Sequence, residues 1–516
     1  MPLDQQLDAK ETGEGPERFL RTEHLKADLG RRSARGGVVT LAAQGVKFAV
    51  FTVATVVLAR LLTPQDYGLV GMVTIVVSFI GMFQYLGLST ATIQWAELSH
   101  RQVSTLFWIN IALSAAITVA VMAASPLVAW FYGEPRLVRI TVGLAAAIML
   151  RGLSIQHEAL LARQMRFTTI AANDLVALVV GLAAAILAAL GGWGYWALVV
   201  NQLAMTGSTA AGVWITCRWR PGLPSRETGL RRMLKFGGNL TGYNLVNFVA
   251  RNIDNLLIGK VWGAYQLGIY SRAYQMLLLP LDQVNAPFGA VAVPALSRLQ
   301  ETPERYRAAF LKILEKIAML TMPGVAFMIA SSDWLVRLML GAQWSDSARI
   351  FMLLGAAAIA QPLTKAALWL FTTQGRAGEM FKWGWVGSAI AVASIVAGLP
   401  WGAFGVAAMY ALTDLCVTTP LMFWFVCRRG PVRAADIYRT VAPSACAAAC
   451  SLAAVAALRQ SLDALPLVAR IAAAFGATAA CSLVVFAVIP AGRRALHNFA
   501  ETLLLFFKGG KKESAA

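Results

Sequence analysis

The stretch Leu58-Ala-Arg-Leu-Leu-Thr-Pro-Gln-Asp-Tyr-Gly68 has a counterpart 200 residues later, Ile258-Gly-Lys-Val-Trp-Gly-Ala-Tyr-Gln-Leu-Gly268. In both copies the third residue is basic and the last is a glycine suited to a turn. A second pair of similar stretches, at 192–197 and 402–407, lies 210 residues apart. The regular spacing indicates an internal duplication, a common feature of membrane transporters.

Apolar stretches of membrane-spanning length, about 20 residues each, surround both copies. Fourteen such spans have the approximate limits 36–60, 69–92, 105–130, 137–157, 170–190, 194–217, 236–259, 268–294, 309–330, 348–372, 383–400, 403–427, 440–458 and 466–490. Because six spans return the chain to its starting side, spans 1–6 and 7–12 are predicted to form two lobes in parallel topology. The duplicated lobes suggest alternating access around an interlobe cavity.

The predicted fold class is an all-α integral membrane protein with about 14 transmembrane helices. Two pseudo-symmetric six-helix lobes are predicted, followed by two C-terminal helices. The parts are a cytoplasmic N-terminal arm at 1–35, an N-lobe at 36–217, a basic linker at 218–235, a C-lobe at 236–427, spans 13 and 14 at 428–491, and an amphipathic basic tail at 492–516.

Composition agrees with a membrane location. Hydrophobic residues make up 58% of the 516 residues and charged residues only 14%, whereas about 25% are charged in ordinary globular proteins. The net charge of +19 would suggest nucleic acid in a soluble protein. Here thirty basic residues lie on the side of the N-terminal arm and eight on the opposite side. This asymmetry predicts both termini in the cytoplasm and no nucleic-acid partner. The first 35 residues are too polar for a signal peptide, so span 1 is expected to be an uncleaved anchor.

Polar side chains within the spans are the candidate site, because a charge at the bilayer centre costs about 2.5–3.5 kcal/mol. A stripe along one face of span 7 consists of Asn244, Asn247, Arg251 and Asp254. Gln44 and Lys47 lie at the equivalent register in span 1, and Arg272 and Lys365 extend the set in spans 8 and 10. Basic residues outnumber acids in the spans, which favours an anionic group such as phosphate or pyrophosphate.

Other interpretations of these residues stay open. Arg251 and Asp254 could form a structural ion pair, and Arg151 could lie near the headgroups if span 4 ends before Glu158. Asp174 or Asp414 could carry a proton or another cation. The six cysteines show neither a zinc-binding spacing nor a disulfide framework, and no metal or cofactor is predicted.

The turn from residue 59 to residue 69, ARLLTPQDYGL, resembles the polysaccharide flippases of the MOP superfamily. The closest resemblance is to the Wzx-type lipopolysaccharide and exopolysaccharide exporters, especially the WzxC-like branch, and the segments at 156–167 and 194–198 share it. The resemblance implies a transporter, not an enzyme, that moves an undecaprenyl-pyrophosphate-linked oligosaccharide across the bacterial inner membrane by alternating access.

The resemblance also implies roles for individual residues and partners. Lys47, Arg251, Arg272 and Lys365 would hold the headgroup, with Asp254 orienting Arg251. The polar residues Gln44, Asn244 and Asn247 would complete the substrate-binding set. Expected partners are the lipid-linked oligosaccharide, membrane lipid, and the polymerase and export machinery of the same pathway.

Two other functions were weighed. A cation-coupled small-molecule extruder of the same superfamily should have a cavity dominated by acids and aromatics. A membrane glycosyltransferase or polymerase usually carries its catalytic residues on a large outer loop, but the longest outer segment here is about 17 residues, near 331–347. The sequence does not specify the sugar, the coupling ion or the oligomeric state.

Overall fold

The structure is a computed structural model that describes residues 29–85, 89, 92–93, 98–225, 230–499 and 501. Side chains at 29–43, 85, 230–247 and 249–250 are outside this description. Most of the predicted N-terminal arm and C-terminal tail also lie outside the described residues. All regular elements in the described part of the chain are helical, which confirms the predicted all-α class.

Seventeen helices are numbered here in chain order. They are α1 Leu29–Leu61, α2 Pro64–Tyr85, α3 His100–Ala123, α4 Ser125–Tyr132, α5 Leu137–Arg163, α6 Phe167–Leu190, α7 Trp196–Cys217, α8 Leu230–Ser297, α9 Pro303–Ala330, α10 Ser332–Met339, α11 Ser345–Ala358, α12 Gln361–Thr373, α13 Ala377–Gly398, α14 Gly402–Thr413, α15 Thr419–Cys427, α16 Ala434–Leu462 and α17 Leu467–Val488. A π-helical turn, Asp414–Thr418, joins α14 to α15.

In the described residues, each of the fourteen predicted spans coincides largely with helix. Eleven stretches of the described chain are long and apolar enough to cross a membrane. Two of them, Arg251–Ser297 and Ala377–Cys427, are 47 and 51 residues long, and the second contains two of the predicted spans. The first is interrupted at Gly263, where φ is 79° and ψ is −173°. The count of fourteen therefore stays a prediction.

The chain divides into two compact units, Met1–Gly268 and Ile269–Ala516. In the first unit, Phe107, Leu160 and Trp219 belong to one buried apolar cluster. Trp219 lies at the start of the predicted linker. The next residues are held on α3, because the Gly222 amide donates to Ser104 Oγ at 2.9 Å. The Ser225 amide likewise donates to Thr105 Oγ1 at 2.9 Å, so this part of the linker is fixed to the helix.

The second unit is organised around an apolar core in which α9, α12, α15 and α16 meet. Phe310, Phe371 and Phe423 are among its buried members. An ion pair between Arg307 and Asp436 also joins α9 to α16. Since the predicted span 13 lies within α16, this span is integrated into the core of the second unit.

The two copies of the duplicated turn contact each other within the first unit. A Cβ atom built on Gly68 would overlap the backbone carbonyl of Ala264, and one built on Gly268 would overlap the carbonyl of Pro64. Gly68 and Gly268 are 200 residues apart, and so are their partners Pro64 and Ala264, and each glycine contacts the partner from the other copy. The two contacts are therefore related by pseudo-twofold symmetry. We call this arrangement the glycine clasp. It explains why both copies end in a residue without a side chain.

A second contact is repeated at the turns that precede α6 and α13. Arg166 Nη1 donates to the carbonyl of Thr216 at 3.3 Å. Arg376 Nη1 donates to the carbonyl of Val426 at 2.9 Å. Both members of each pair are shifted by 210 residues, the offset of the second sequence match. The residue before each arginine has a positive φ, 54° in one copy and 68° in the other. The duplication is therefore visible in backbone contacts as well as in the sequence.

Candidate functional site

Lys47 lies on α1 and forms an ion pair with a neighbouring helix. Its Nζ donates to Asp174 Oδ2 on α6 at 2.6 Å. The two side chains are 24% and 40% exposed, so the pair is only partly enclosed by protein. Gln44, one turn earlier on α1, is exposed. Lys47 is thus a membrane-helix cation whose charge is balanced by a carboxylate 127 residues away in the sequence.

A second ion pair lies on α5. Arg151 Nη1 and Nη2 donate to the two carboxylate oxygens of Glu158 at 2.7 and 2.8 Å. The helix continues past Glu158 to Arg163, so the helix itself does not end early, and a position of Arg151 near the headgroups stays a prediction. A paired geometry of this kind is strong and directional because the planar guanidinium matches the carboxylate.

These two pairs are electrostatically connected. The carboxylate of Asp174 interacts with that of Glu158 as well as with Lys47. Lys47, Arg151, Glu158 and Asp174 therefore form a group of two cations and two anions, which we call the α1–α5–α6 charge cluster. Within it, Arg151 and Glu158 are held by two hydrogen bonds, whereas Lys47 and Asp174 share one.

The second unit contains a lysine pair of the same kind. Lys365 Nζ on α12 donates to Asp282 Oδ1 on α8 at 2.7 Å. The side chains are 42% and 58% exposed, more than those of the pair formed by Lys47. Charged groups that face hydrocarbon are costly, so an exposed ion pair on helices of membrane-spanning character is a candidate for a functional role.

The remaining predicted site residues lie on α8. Arg251 is exposed and Asp254 is half-buried, and Asp254 Oδ1 accepts a hydrogen bond from the Asn255 amide at 2.7 Å. Arg272 Nη1 donates to Gln275 Oε1 at 2.7 Å. Whether Arg251 and Asp254 pair with each other stays open. The side chains of Asn244 and Asn247 fall outside the described part of the structure.

The predicted set is divided between the two units. Gln44, Lys47, Arg251 and Asp254 belong to the first, and Arg272 and Lys365 belong to the second. Their role in substrate binding stays a prediction.

Sequence reasoning did not identify the carboxylates that pair with the two lysines. Asp174 was considered as a possible carrier of a proton or another cation, and neither it nor Asp282 was predicted as the partner of Lys47 or Lys365. Their separations in sequence, 127 and 83 residues, correspond to no helical periodicity, so spacing along one helix could not reveal them. The structure thereby modifies the expected cationic surplus, because both lysines are locally neutralised.

Comparison with known proteins places this geometry in context. The chain is 24% identical over 377 residues to the lipopolysaccharide biosynthesis protein WzxC of Escherichia coli strain K12, covering 72% of this chain and 75% of that protein. It is 27% identical over 300 residues to the teichuronic acid biosynthesis protein TuaB of Bacillus subtilis strain 168. That match covers 58% of this chain and 62% of TuaB, so it spans less than two thirds of TuaB.

A solved structure shares the fold. The lipid II flippase MurJ, in an inward closed conformation, superposes with a TM-score of 0.66 at 12% sequence identity. The superposition covers 87% of this chain and 99% of MurJ. The expected transporter fold is therefore confirmed, and the chain is a multi-pass membrane protein.

The sequence family follows from a match over residues 57–349, more than half of the chain, to the family model described as polysaccharide biosynthesis protein. This agrees with the resemblance carried by the duplicated turn, which begins just after the start of the matched region. The chain belongs to the family of polysaccharide biosynthesis proteins.

Proposed function

We propose that this protein is a flippase that moves a polyprenyl-pyrophosphate-linked oligosaccharide across the bacterial inner membrane by alternating access. The oligosaccharide would serve lipopolysaccharide or exopolysaccharide biosynthesis. Both termini would lie in the cytoplasm, as the asymmetry of basic residues predicts. No covalent bond of the substrate changes in this process, so the protein would act as a transporter and not as an enzyme.

The observation that carries this proposal is a lysine ion pair in each unit, within helices of membrane-spanning character. Lys47 and Lys365 are 24% and 42% exposed, which makes both reachable by a ligand. A charge in such a helix has a high insertion cost, and charged residues there are therefore usually functional. A lysine ammonium is a compact point charge suited to phosphate oxygens, and a pyrophosphate group provides several of these oxygens.

The other polar residues fit supporting roles. Arg251 and Arg272 would add cationic contacts to the headgroup, and Asp254 would orient Arg251. Gln44, Asn244 and Asn247 would offer neutral hydrogen bonds to phosphate or sugar oxygens. The pathway's polymerase and export machinery are proposed partners, since a translocated oligosaccharide needs a consumer on the far side.

A cation-coupled drug extruder remains the second candidate. Fold similarity alone does not separate it from a lipid-linked carrier. It is less favoured because WzxC and TuaB are both named for polysaccharide biosynthesis. The site also keeps a surplus of basic residues, four against three acids when Asp174 and Asp282 are counted with Asp254, and this surplus favours an anionic ligand.

A deletion strain distinguishes these functions. Loss of the gene should stop polymer export, and one lipid-linked oligosaccharide should accumulate in lipid extracts analysed by mass spectrometry. Restoring the wild-type gene should clear it. Normal polymer export together with increased sensitivity to cationic drugs would instead support the extruder.

A further inference from the structure

The lysines assigned to the headgroup are not free cations in this structure. Lys47 is 2.6 Å from Asp174 and Lys365 is 2.7 Å from Asp282. In both pairs the carboxylate lies on a different helix from the lysine, and it is the more exposed partner, at 40% and 58%. Each carboxylate therefore occupies a position where a phosphate oxygen would have to bind.

A ligand that displaces such a carboxylate from its lysine must carry more than one negative charge. The carboxylate is tethered by the fold, so its effective concentration at the lysine is high. A lipid with a single phosphodiester charge exchanges one anionic contact for another and gains little. A pyrophosphate headgroup carries additional charge on an adjacent phosphate, which can contact the lysine and still interact with other cations.

Within the α1–α5–α6 charge cluster, the two ion pairs differ in how easily a ligand could displace their carboxylates. Arg151 holds Glu158 through two hydrogen bonds at 2.7 and 2.8 Å, a geometry that a lysine cannot reproduce. Asp174 has one hydrogen bond to Lys47 and is repelled by Glu158. Displacing Asp174 from Lys47 is therefore easier than displacing Glu158 from Arg151.

We propose that Asp174 and Asp282 are displaceable counter-ions that determine headgroup selectivity. They would admit pyrophosphate-linked lipids and exclude phospholipids with one phosphate charge. The inference rests on the proposed function, because it assumes that Lys47 and Lys365 meet the headgroup. It adds a role for two acids that were not among the predicted substrate-binding residues.

The test is phospholipid flipping by the purified full-length protein in vesicles that contain acyl-labelled fluorescent phosphatidylglycerol. Dithionite bleaching reports how fast label exchanges between leaflets. In vesicles with the wild-type protein, labelled phosphatidylglycerol should exchange between leaflets no faster than in protein-free vesicles. The variant D174N/D282N should raise it at least about tenfold, because each lysine is then open to a single phosphate charge. D174E/D282E keeps both negative charges and should remain selective.

The matched control is D463N, which neutralises an acid paired with Arg470 at 3.0 Å in the turn before α17. It should behave as the wild type. Phospholipid exchange by D174N/D282N at the wild-type rate would overturn the inference. A folded state is verified by size-exclusion chromatography and by the thermal midpoint in detergent.

A measurement on the wild type keeps the inference testable if the double variant does not fold. Inorganic pyrophosphate should raise the thermal midpoint of the wild type, whereas dimethyl phosphate, a phosphodiester with a single charge, should not raise it at equal ionic strength. Equal shifts with the two anions would contradict counter-ion selectivity. If wild-type protein also fails to restore polymer export in the deletion strain, the proposed function itself fails. Restored export with unselective anion binding would reject only the counter-ion role.

Discussion

The two halves of the chain repeat two contacts to backbone carbonyls but not their ion pairs. The glycine clasp relates Gly68 and Gly268 by 200 residues, and the carbonyl contacts of Arg166 and Arg376 are related by 210. The lysine pairs follow neither offset. Lys47 joins α1 to α6, whereas Lys365 joins α12 to α8.

This difference separates two kinds of constraint. Close backbone approach and helix-end contacts depend on the path of the chain, so a duplicated unit keeps them as long as it keeps its fold. Ion pairs depend on single side chains, which can change without altering that path. The repeated contacts therefore describe the scaffold, and the unrepeated pairs are where the two halves have acquired separate roles.

The largest expected effect concerns the glycine clasp. G68A and G268A each place a Cβ atom into a backbone carbonyl, and overpacking of this kind should lower the free energy of unfolding by about 3 kcal/mol. Because the contacts are reciprocal, the two variants should be affected equally. Thermal unfolding in detergent measures this.

The matched control for the clasp is G81A. A Cβ atom there would meet nothing within 4 Å, and alanine in a helix should be stabilising by about 0.5–1 kcal/mol. Unequal effects of G68A and G268A would contradict the pseudo-twofold interpretation.

Substitutions of the two paired lysines should have unequal effects, in contrast to the two glycine substitutions. K47A should reduce export about tenfold, because it leaves Asp174 and Glu158 without one of their two cations. K365A should have a smaller effect, since its pair is more exposed, at 42% and 58%. Polymer export at matched protein level reports both.

Lys312 provides the control for the lysines. It is an exposed residue of α9, predicted to reach the membrane surface, and K312A should export at the wild-type rate. If K365A were the more damaging variant, the more exposed lysine pair would be the more important of the two.

The next prediction concerns the two hydrogen bonds between Arg151 and Glu158 on α5. R151K keeps the positive charge but loses the double contact with Glu158, which should lower the free energy of unfolding by about 1 kcal/mol. Thermal unfolding again gives the measurement. R337K, at an exposed position of α10, should be neutral, and a neutral R151K would show that the guanidinium geometry contributes nothing.

The smallest expected effect concerns the repeated arginine contacts. R376A should cost about 0.5 kcal/mol more than R166A, because Arg376 also donates to Glu379 at 2.8 Å. A comparison of both thermal midpoints tests this. A larger loss for R166A would indicate that its 3.3 Å bond to Thr216 supports more of the fold than its geometry suggests.

Sequence patterns were sufficient for the fold because the relevant information is local. Apolar length identifies the candidate membrane helices, and the offset between Gly68 and Gly268 indicates the duplication, although it did not predict that the two turns contact each other. The site could be predicted only in part. The stripe on α8 is visible because its residues share one helix face, but the partners of Lys47 and Lys365 are fixed by helix packing. An early helix end near Glu158 was considered because of its charge, but α5 continues to Arg163 and Glu158 pairs with Arg151 within that helix.

The most direct test of the central claim is transport by the purified protein in vesicles of a fluorescent polyprenyl-pyrophosphate-linked oligosaccharide. The wild type should move the labelled lipid between leaflets. The double variant K47A/K365A should be reconstituted at equal density, and its thermal midpoint should verify that it is folded. It should move the labelled lipid no faster than the lipid moves in protein-free vesicles. Transport by the double variant at the wild-type rate would contradict the assignment of the two lysines to the headgroup.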